Sequence, residues 1–213
     1  MIEPYYSDDF VTIYHGDCKE ILPGLSFDVV ITDPPYGISY VSNKALDGPS
    51  KPIHGDDSTD LRDYVIKAVE GKPMLIFGTW KMPRPAETRE LLIWHKTGTG
   101  FMGDLSLPWG PGHEEIYVIG EGWTGKRRSN VYSVKGYSPG AKERPEHPTP
   151  KPVFLMRELV ERSPQGVILD PFMGSGSTLR AAKDLGRKAI GIEIDEQYCE
   201  IAVKRLAQEV LFA

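Results

Sequence analysis

Cysteine is nearly absent from this chain: two in 213 residues, Cys18 and Cys199, far apart and outside any CxxC or metal-ligand spacing. That excludes a disulfide-stapled fold and a cysteine-zinc site, and leaves two reduced thiols. HExxH is also missing, so no metal is expected. No run approaches the roughly 18 apolar residues of a membrane span. The opening MIEPYYSDDF lacks the basic-then-apolar order of a secretory signal. The expectation is a cytoplasmic protein with no membrane partner. Net positive charge is lacking too: 25 Lys and Arg against 30 Asp and Glu leave −5, which on average disfavours a polyanion ligand.

What is present is enough apolar material for a core, 40% of residues with ten Tyr, seven Phe and four Trp. One domain over 1–213 is expected. Seven β-branched runs read as strands: Val11–His15, Phe27–Thr32, Pro73–Thr79, Leu91–Lys96, Glu115–Ile119, Gly166–Asp170 and Lys188–Ile194. Several, such as DVVIT, MLIF and VILD, are continuous rather than alternating, as strands covered on both faces must be. Helical spacing falls between them, at Thr59–Glu70, Pro152–Glu161, Ser177–Leu185 and Glu196–Ala207. Strand and helix in alternation predict a doubly wound α/β sheet.

Three stretches resist a regular reading: Ile38–Asp60, Thr97–His113 and Glu121–Pro150, all polar and rich in Gly and Pro. Loops this long are usually lids or binding surfaces. Charge is segregated among them. Gly122–Lys151 holds seven Lys and Arg against two Glu, a local +5 on a remainder of −10. A basic segment on an acidic body suggests a localised polyanion face, with a solvated loop as the alternative.

Two motifs carry chemistry. Asp33-Pro34-Pro35-Tyr36 follows the DVVIT run directly; two prolines cannot continue a ladder, so a carboxylate, free carbonyls and an aromatic ring gather at a strand's carboxyl end. Open α/β sheets bind ligands there. Asp170-Pro-Phe172-Met-Gly174-Ser175-Gly176-Ser177-Thr178 follows another strand and opens a helix. Its glycines allow a tight turn and close approach of a ligand, and the helix start offers free N–H groups. Glu193 ends the next strand 19 positions after Gly174, the usual interval between a glycine turn and the acid that holds a ribose diol. Together they indicate a nucleoside cofactor. A third pattern, Gly98-Thr-Gly100-Phe-Met-Gly103, matches GxGxxG but runs into Pro108 and Pro111 instead of a helix, and is read as a loop.

Asp33–Tyr36, Asp170–Thr178 and the stretch Gly191-Ile-Glu193 to Arg205-Leu206 resemble the catalytic, cofactor and ribose motifs of the S-adenosylmethionine-dependent amino-methyltransferases of DNA. Catalytic motif first and cofactor loop last resembles their circularly permuted beta class, as do His15-Gly-Asp17-Cys and His147-Pro-Thr-Pro-Lys151-Pro. The resemblance implies a Rossmann-like, seven-stranded, mostly parallel sheet with inserted target-recognition loops at 38–60 and 97–150. It implies S-adenosylmethionine as cofactor and double-stranded DNA as partner, and leaves open a homodimer and a cognate restriction enzyme. Asp170, Phe172, Gly174, Ser175, Gly176 and Thr178 would surround the methionine part of the cofactor. Glu193 would hold the ribose, Asp17 would face the adenine amine, and Lys151 would lie near the cofactor carboxylate. Asp33, with the Pro34 carbonyl, Pro35 and Tyr36, would bind the amine of a flipped base. An aspartate at the head of DPPY leans toward adenine N6 over cytosine N4, with RNA and protein amides as further alternatives. A binding module that has lost catalysis is a reading of another class, opposed by the intact Asp33 and glycine set. Lys126, Arg127 and Arg128, with Lys44 and Lys51, are the expected phosphate contacts.

Overall fold

The structure is a computed structural model that describes residues 2–39, 53–98, 106–137 and 150–208. Among these, nine strands form one sheet: β1 (Tyr6–Ser7), β2 (Val11–His15), β3 (Val29–Thr32), β4 (Met74–Gly78), β5 (Glu90–Thr97), β6 (His113–Ile119), β7 (Val131–Lys135), β8 (Ile168–Asp170) and β9 (Ala189–Glu193). Their order across the sheet is β1-β2-β9-β8-β3-β4-β6-β5-β7. The five from β2 to β4 in that order are mutually parallel, whereas β6 runs against both β4 and β5.

Helices cover both faces, as the continuous apolar strands require. Helices α3 (Val153–Val160), α4 (Ser177–Asp184) and α5 (Glu196–Leu206) pack one face against Val29, Ile31, Leu75, Phe77 and Ile168. The short α1 (Cys18–Ile21) and α2 (Asp60–Ala68) pack the other against Val30, Ile76, Leu169 and Ile192. All four residues of β3 and all five of β4 are buried.

Two strands exceed the expected seven. β1 is two residues long, too short to show a period, and pairs antiparallel on the edge. β7 lies inside the span expected to be irregular. There Tyr132 and Val134 turn inward while Val131, Ser133 and Lys135 face outward or the edge, an alternation masked by flanking Gly and Pro. The span 97–150 is accordingly not one insertion, because β6 and β7 within it belong to the sheet.

The permuted connection is visible in the register. β3 and β8 lie side by side, Val29 opposite Ile168 and Val30 opposite Leu169. Thr32 donates its hydroxyl to Asp170 Oδ1 at 2.6 Å across that seam. Both chain-distant motifs therefore leave the sheet at one end. Gly191, in β9, lets this packing close: a Cβ there would lie 2.5 Å from Met173 Sδ and 2.7 Å from Leu179 Cδ2. Gly191→Ala should destabilise the fold by about 1–3 kcal/mol through overpacking. Urea unfolding checks this, and a midpoint equal to that of the unaltered protein contradicts it.

Candidate active site

Five parallel strands present their carboxyl ends to one cavity of about 620 Å³, lined from Gly16 and Asp17 after β2 through Asp33–Tyr36 after β3 to Phe172–Ser175 after β8. Gly78–Lys81 after β4 and Glu193–Asp195 after β9 complete that end. The volume lies inside the range of small-molecule sites.

On one side stands the glycine loop. Asp170 is buried and accepts from Thr32, from the Phe172 N–H at 3.2 Å and from Thr178. Burial pushes its carboxyl up to about 6 in spite of these bonds. Gly174 and Gly176 have φ of 50° and 75°, a left-handed conformation that a side chain resists, and Gly176 is the residue before α4. Glu193 reaches back to the loop, accepting from the Gly174 N–H with one oxygen and the Asp195 N–H with the other, each at 2.9 Å. Its remaining lone pairs are open to a diol. Burial raises its pKa, against those backbone bonds. Asp17, at the cavity wall, caps α1 through Lys19 N–H at 2.8 Å.

On the other side stands a charged cluster. Tyr36 Oη is 2.7 Å from Asp33 Oδ1 and 3.0 Å from Glu114 Oε2. The Lys151 ammonium bonds Asp33 Oδ2 and lies 3.2 Å from Glu114 Oε2, above the rings of Phe77 and Tyr36. Lys96 Nζ holds the other oxygen of Glu114 at 2.5 Å. Burial drives Asp33 upward; Lys151 draws it down and Glu114 pushes it up, and the net direction is up. Burial also works against Glu114, but Lys151 and Lys96 outweigh it and hold its carboxyl at about 2.

Of the residues expected at the site, Asp17, Asp33–Tyr36, Lys151, Asp170, Phe172, Gly174, Ser175, Thr178 and Glu193 all line this cavity. Lys151 sits on Asp33 and Glu114, whose carboxylates keep the buried ammonium charged against desolvation. Lys126, Arg127 and Arg128 do not join the site. They precede β7, whose far end at Gly136 and Tyr137 touches the cavity, so a strand length of roughly 17 Å separates them from it. Arg128 is further engaged, bonded to Glu158 and stacked over Tyr132 at 4.2 Å. Lys44 and Lys51 lie outside the described residues. Nothing in the sequence pointed to Glu114, Lys96 or Trp80, or to a role for Arg205 within its motif. The guanidinium of Arg205 clamps the glycine loop through the Ser175 carbonyl at 3.2 Å and the Ser177 hydroxyl at 3.0 Å.

A DNA methylase family matches residues 114–204. The type II methyltransferase M.ScaI of Streptomyces caespitosus is 27% identical over 258 residues, covering 97% of this chain and 84% of that protein. The DNA adenine methyltransferase YhdJ of Escherichia coli (strain K12) is 26% identical, covering 94% and 84%. The crystal structure of the M1.HpyAVI–SAM complex superposes with a TM-score of 0.67 at 25% identity, over 93% of this chain and all of that one. These likenesses support an S-adenosylmethionine-dependent DNA methyltransferase. Among the described residues, no helix is long and apolar enough to cross a membrane, and no group of His, Cys, Asp and Glu is arranged to hold a metal.

Asp170 gives this half of the site a pH signature. Its folded pKa of about 6 lies above the ordinary value of 3.8, so the native state holds the proton more tightly. That contribution to stability is complete below about pH 4 and is lost as pH rises through 6, an effect on the order of 2 kcal/mol. Unfolding free energies measured from pH 4 to 7 should fall in the unaltered protein relative to Asp170→Asn; parallel curves contradict the assignment.

Proposed function

We propose that this methyltransferase moves the methyl group of S-adenosylmethionine to the N6 amine of an adenine flipped out of double-stranded DNA. The observation that carries the reading is one cavity with a nucleoside-type cradle (Glu193, Asp17, Phe172, the Gly174 loop) and, beside it, a carboxylate at Asp33. The donor set fits the cofactor: Glu193 and Asp17 offer acceptors for hydroxyls and an amine, and Phe172 and Ile194 offer an apolar wall. When bound, the cofactor supplies an electrophilic methyl on a sulfonium.

The protein's part is alignment. An exocyclic amine is a poor nucleophile because its lone pair is conjugated with the ring. Asp33 and the Pro34 carbonyl accept its hydrogens and turn the lone pair toward the methyl, and Asp33 receives the proton that the amine sheds. Asp170, Ser175 and Thr178 act one step back by fixing the loop from which Gly174 faces the cofactor. Adenine is favoured by the Asp at the head of DPPY and by the adenine activity named for YhdJ. Cytosine N4 is the alternative within the family.

Base-level analysis of DNA treated with the protein and labelled cofactor decides the base: N6-methyladenine is expected, and N4-methylcytosine overturns that choice. Asp33→Ala should abolish transfer, a loss of at least about 100-fold, while calorimetry finds cofactor affinity nearly unchanged. Gly174→Val should remove cofactor binding itself, since φ of 50° is strained for a β-branched side chain. Equal loss of binding in both would refute the division of labour.

The duplex is expected to lie across the cavity end of the sheet. Exposed Trp80 and Lys81 follow β4 there, and 106–112 enters β6. Lys81→Ala should flatten the log–log salt dependence of DNA affinity by about 0.9 for one lost phosphate contact. Alanine at Lys126, Arg127 and Arg128 together should leave the slope unchanged. The reverse pattern would place DNA at the opposite end.

A further inference from the structure

Glu114 has no role in the transfer described so far, yet it is joined to Asp33 by two separate bridges. One is the Tyr36 hydroxyl, 2.7 Å from Asp33 and 3.0 Å from Glu114. The other is the Lys151 ammonium, shared between the two carboxylates. Lys96 closes the far side at 2.5 Å. Reading inward, charge alternates: Lys96, Glu114, Lys151, Asp33.

The arrangement has an electrostatic consequence. A buried ammonium bonded to Asp33 alone would hold that carboxylate ionised and occupied, making it a poor acceptor for an amine proton. Glu114 divides the hold of Lys151 and, being an anion close to Asp33, raises the free energy of a second negative charge there. Lys96 fixes the charge on Glu114, so the inequality between the two acids is built in. A phenol has one proton for two flanking carboxylates, so Tyr36 donates to only one of them at a time and does not lock Asp33.

We propose that Glu114 is a positioning residue that, through Lys151 and Tyr36, keeps Asp33 available as the hydrogen-bond and proton acceptor for the target amine. This rests on the amine-methylating reading above. In the transfer the nitrogen lone pair forms the N–C bond and the S–C pair returns to sulfur. The nitrogen is left cationic, and its surplus proton goes to an Asp33 oxygen. Asp33 then passes it to water as the product leaves. Glu114 touches none of the reacting atoms.

The other charges facing this group are known. Asp33 and Tyr36 come from the end of β3, Lys96 from β5, Lys151 from the segment before α3, and His113 adjoins on β6 itself. Asp170 stands behind Asp33, whose charge adds to the upward push on the Asp170 carboxyl. Glu115, next in sequence, faces away and is held by Arg84 at 2.6 Å and Tyr117 at 2.9 Å.

Glu114→Gln keeps the shape and removes the charge. Carboxyl carbon NMR of aspartate-labelled protein without DNA, with Asp33 assigned by the signal lost in Asp33→Asn, should show the Asp33 titration moved to lower pH. Turnover on DNA should fall roughly 10- to 100-fold, with its acidic limb displaced the same way, while DNA KM and cofactor affinity stay within about 2-fold and Glu114→Asp recovers part of the rate. An unmoved Asp33 titration with wild-type turnover overturns the proposal. Glu114→Gln leaves Lys96 and Lys151 with one buried anion fewer; should it fail to fold, Glu114→Gln with Lys96→Met restores charge balance. A purely structural role predicts that this pair regains the wild-type titration and rate, and the proposal predicts that both remain shifted. Because the titration needs no turnover, an absence of DNA methylation by the unaltered protein would refute the functional reading while the ladder is still judged.

Discussion

The site depends on one seam, the parallel pairing of β3 with β8, closed by the hydroxyl of Thr32 on the carboxylate of Asp170. Both partners are buried, so the bond forms without competition from water. It fixes how far each chain runs before leaving the sheet: one residue after Thr32 comes Asp33, and directly after Asp170 comes the glycine loop. A slip of one residue in that register would turn Val29 and Val30 to the wrong faces and carry Asp33 away from the loop. The distance between Asp33 and the glycine loop is thus set by backbone pairing, the least adjustable element in a sheet.

Around that seam the molecule buries an unusual amount of charge. Asp33, Glu114 and Lys151 share one enclosed cluster, with Lys96 at its edge. Such clusters are poor devices for stability, because desolvation offsets most of the attraction, and apolar side chains of equal volume would serve as well. Their presence here is better accounted for by chemistry than by folding. The same holds for Asp170, whose carboxyl is pushed up by burial and yet holds the loop through Phe172 and Thr178 and ties it to Thr32 on β3.

Much of this was legible in the residues themselves. Continuous runs such as DVVIT and VILD marked strands covered on both faces, and the breaks after them, two prolines in one case and glycines in the other, located both halves of the site. Glu193 was found by its interval from Gly174. β7 escaped because its alternation spans only five residues among glycines and prolines. Glu114 escaped because HEEIYVI sets two acids in succession at the start of a strand; alternation sends one to each face, but which face holds the lysines is decided by Lys96 on β5 and by Lys151 before α3, both distant in sequence. The Lys126–Arg128 triplet shows the converse. Adjacent cations announce a charged surface, and only the direction of β7 tells at which end of the sheet it lies.

The place of β9 in the sheet governs the order in which the molecule can be assembled. It lies between β2 and β8, so the first hairpin, β1 with β2, has no neighbour to join until residues 189–193 have been made. During synthesis the strands β3, β4, β6 and β5 can associate while residues 6–15 wait, their inward faces Val11 and Ile13 uncovered. Asp17, two residues after β2, and Glu193, the last residue of β9, are brought together only at that docking. The cradle proposed for a nucleoside therefore closes only when β9 docks beside β2, after Asp33 has taken its place at the end of β3.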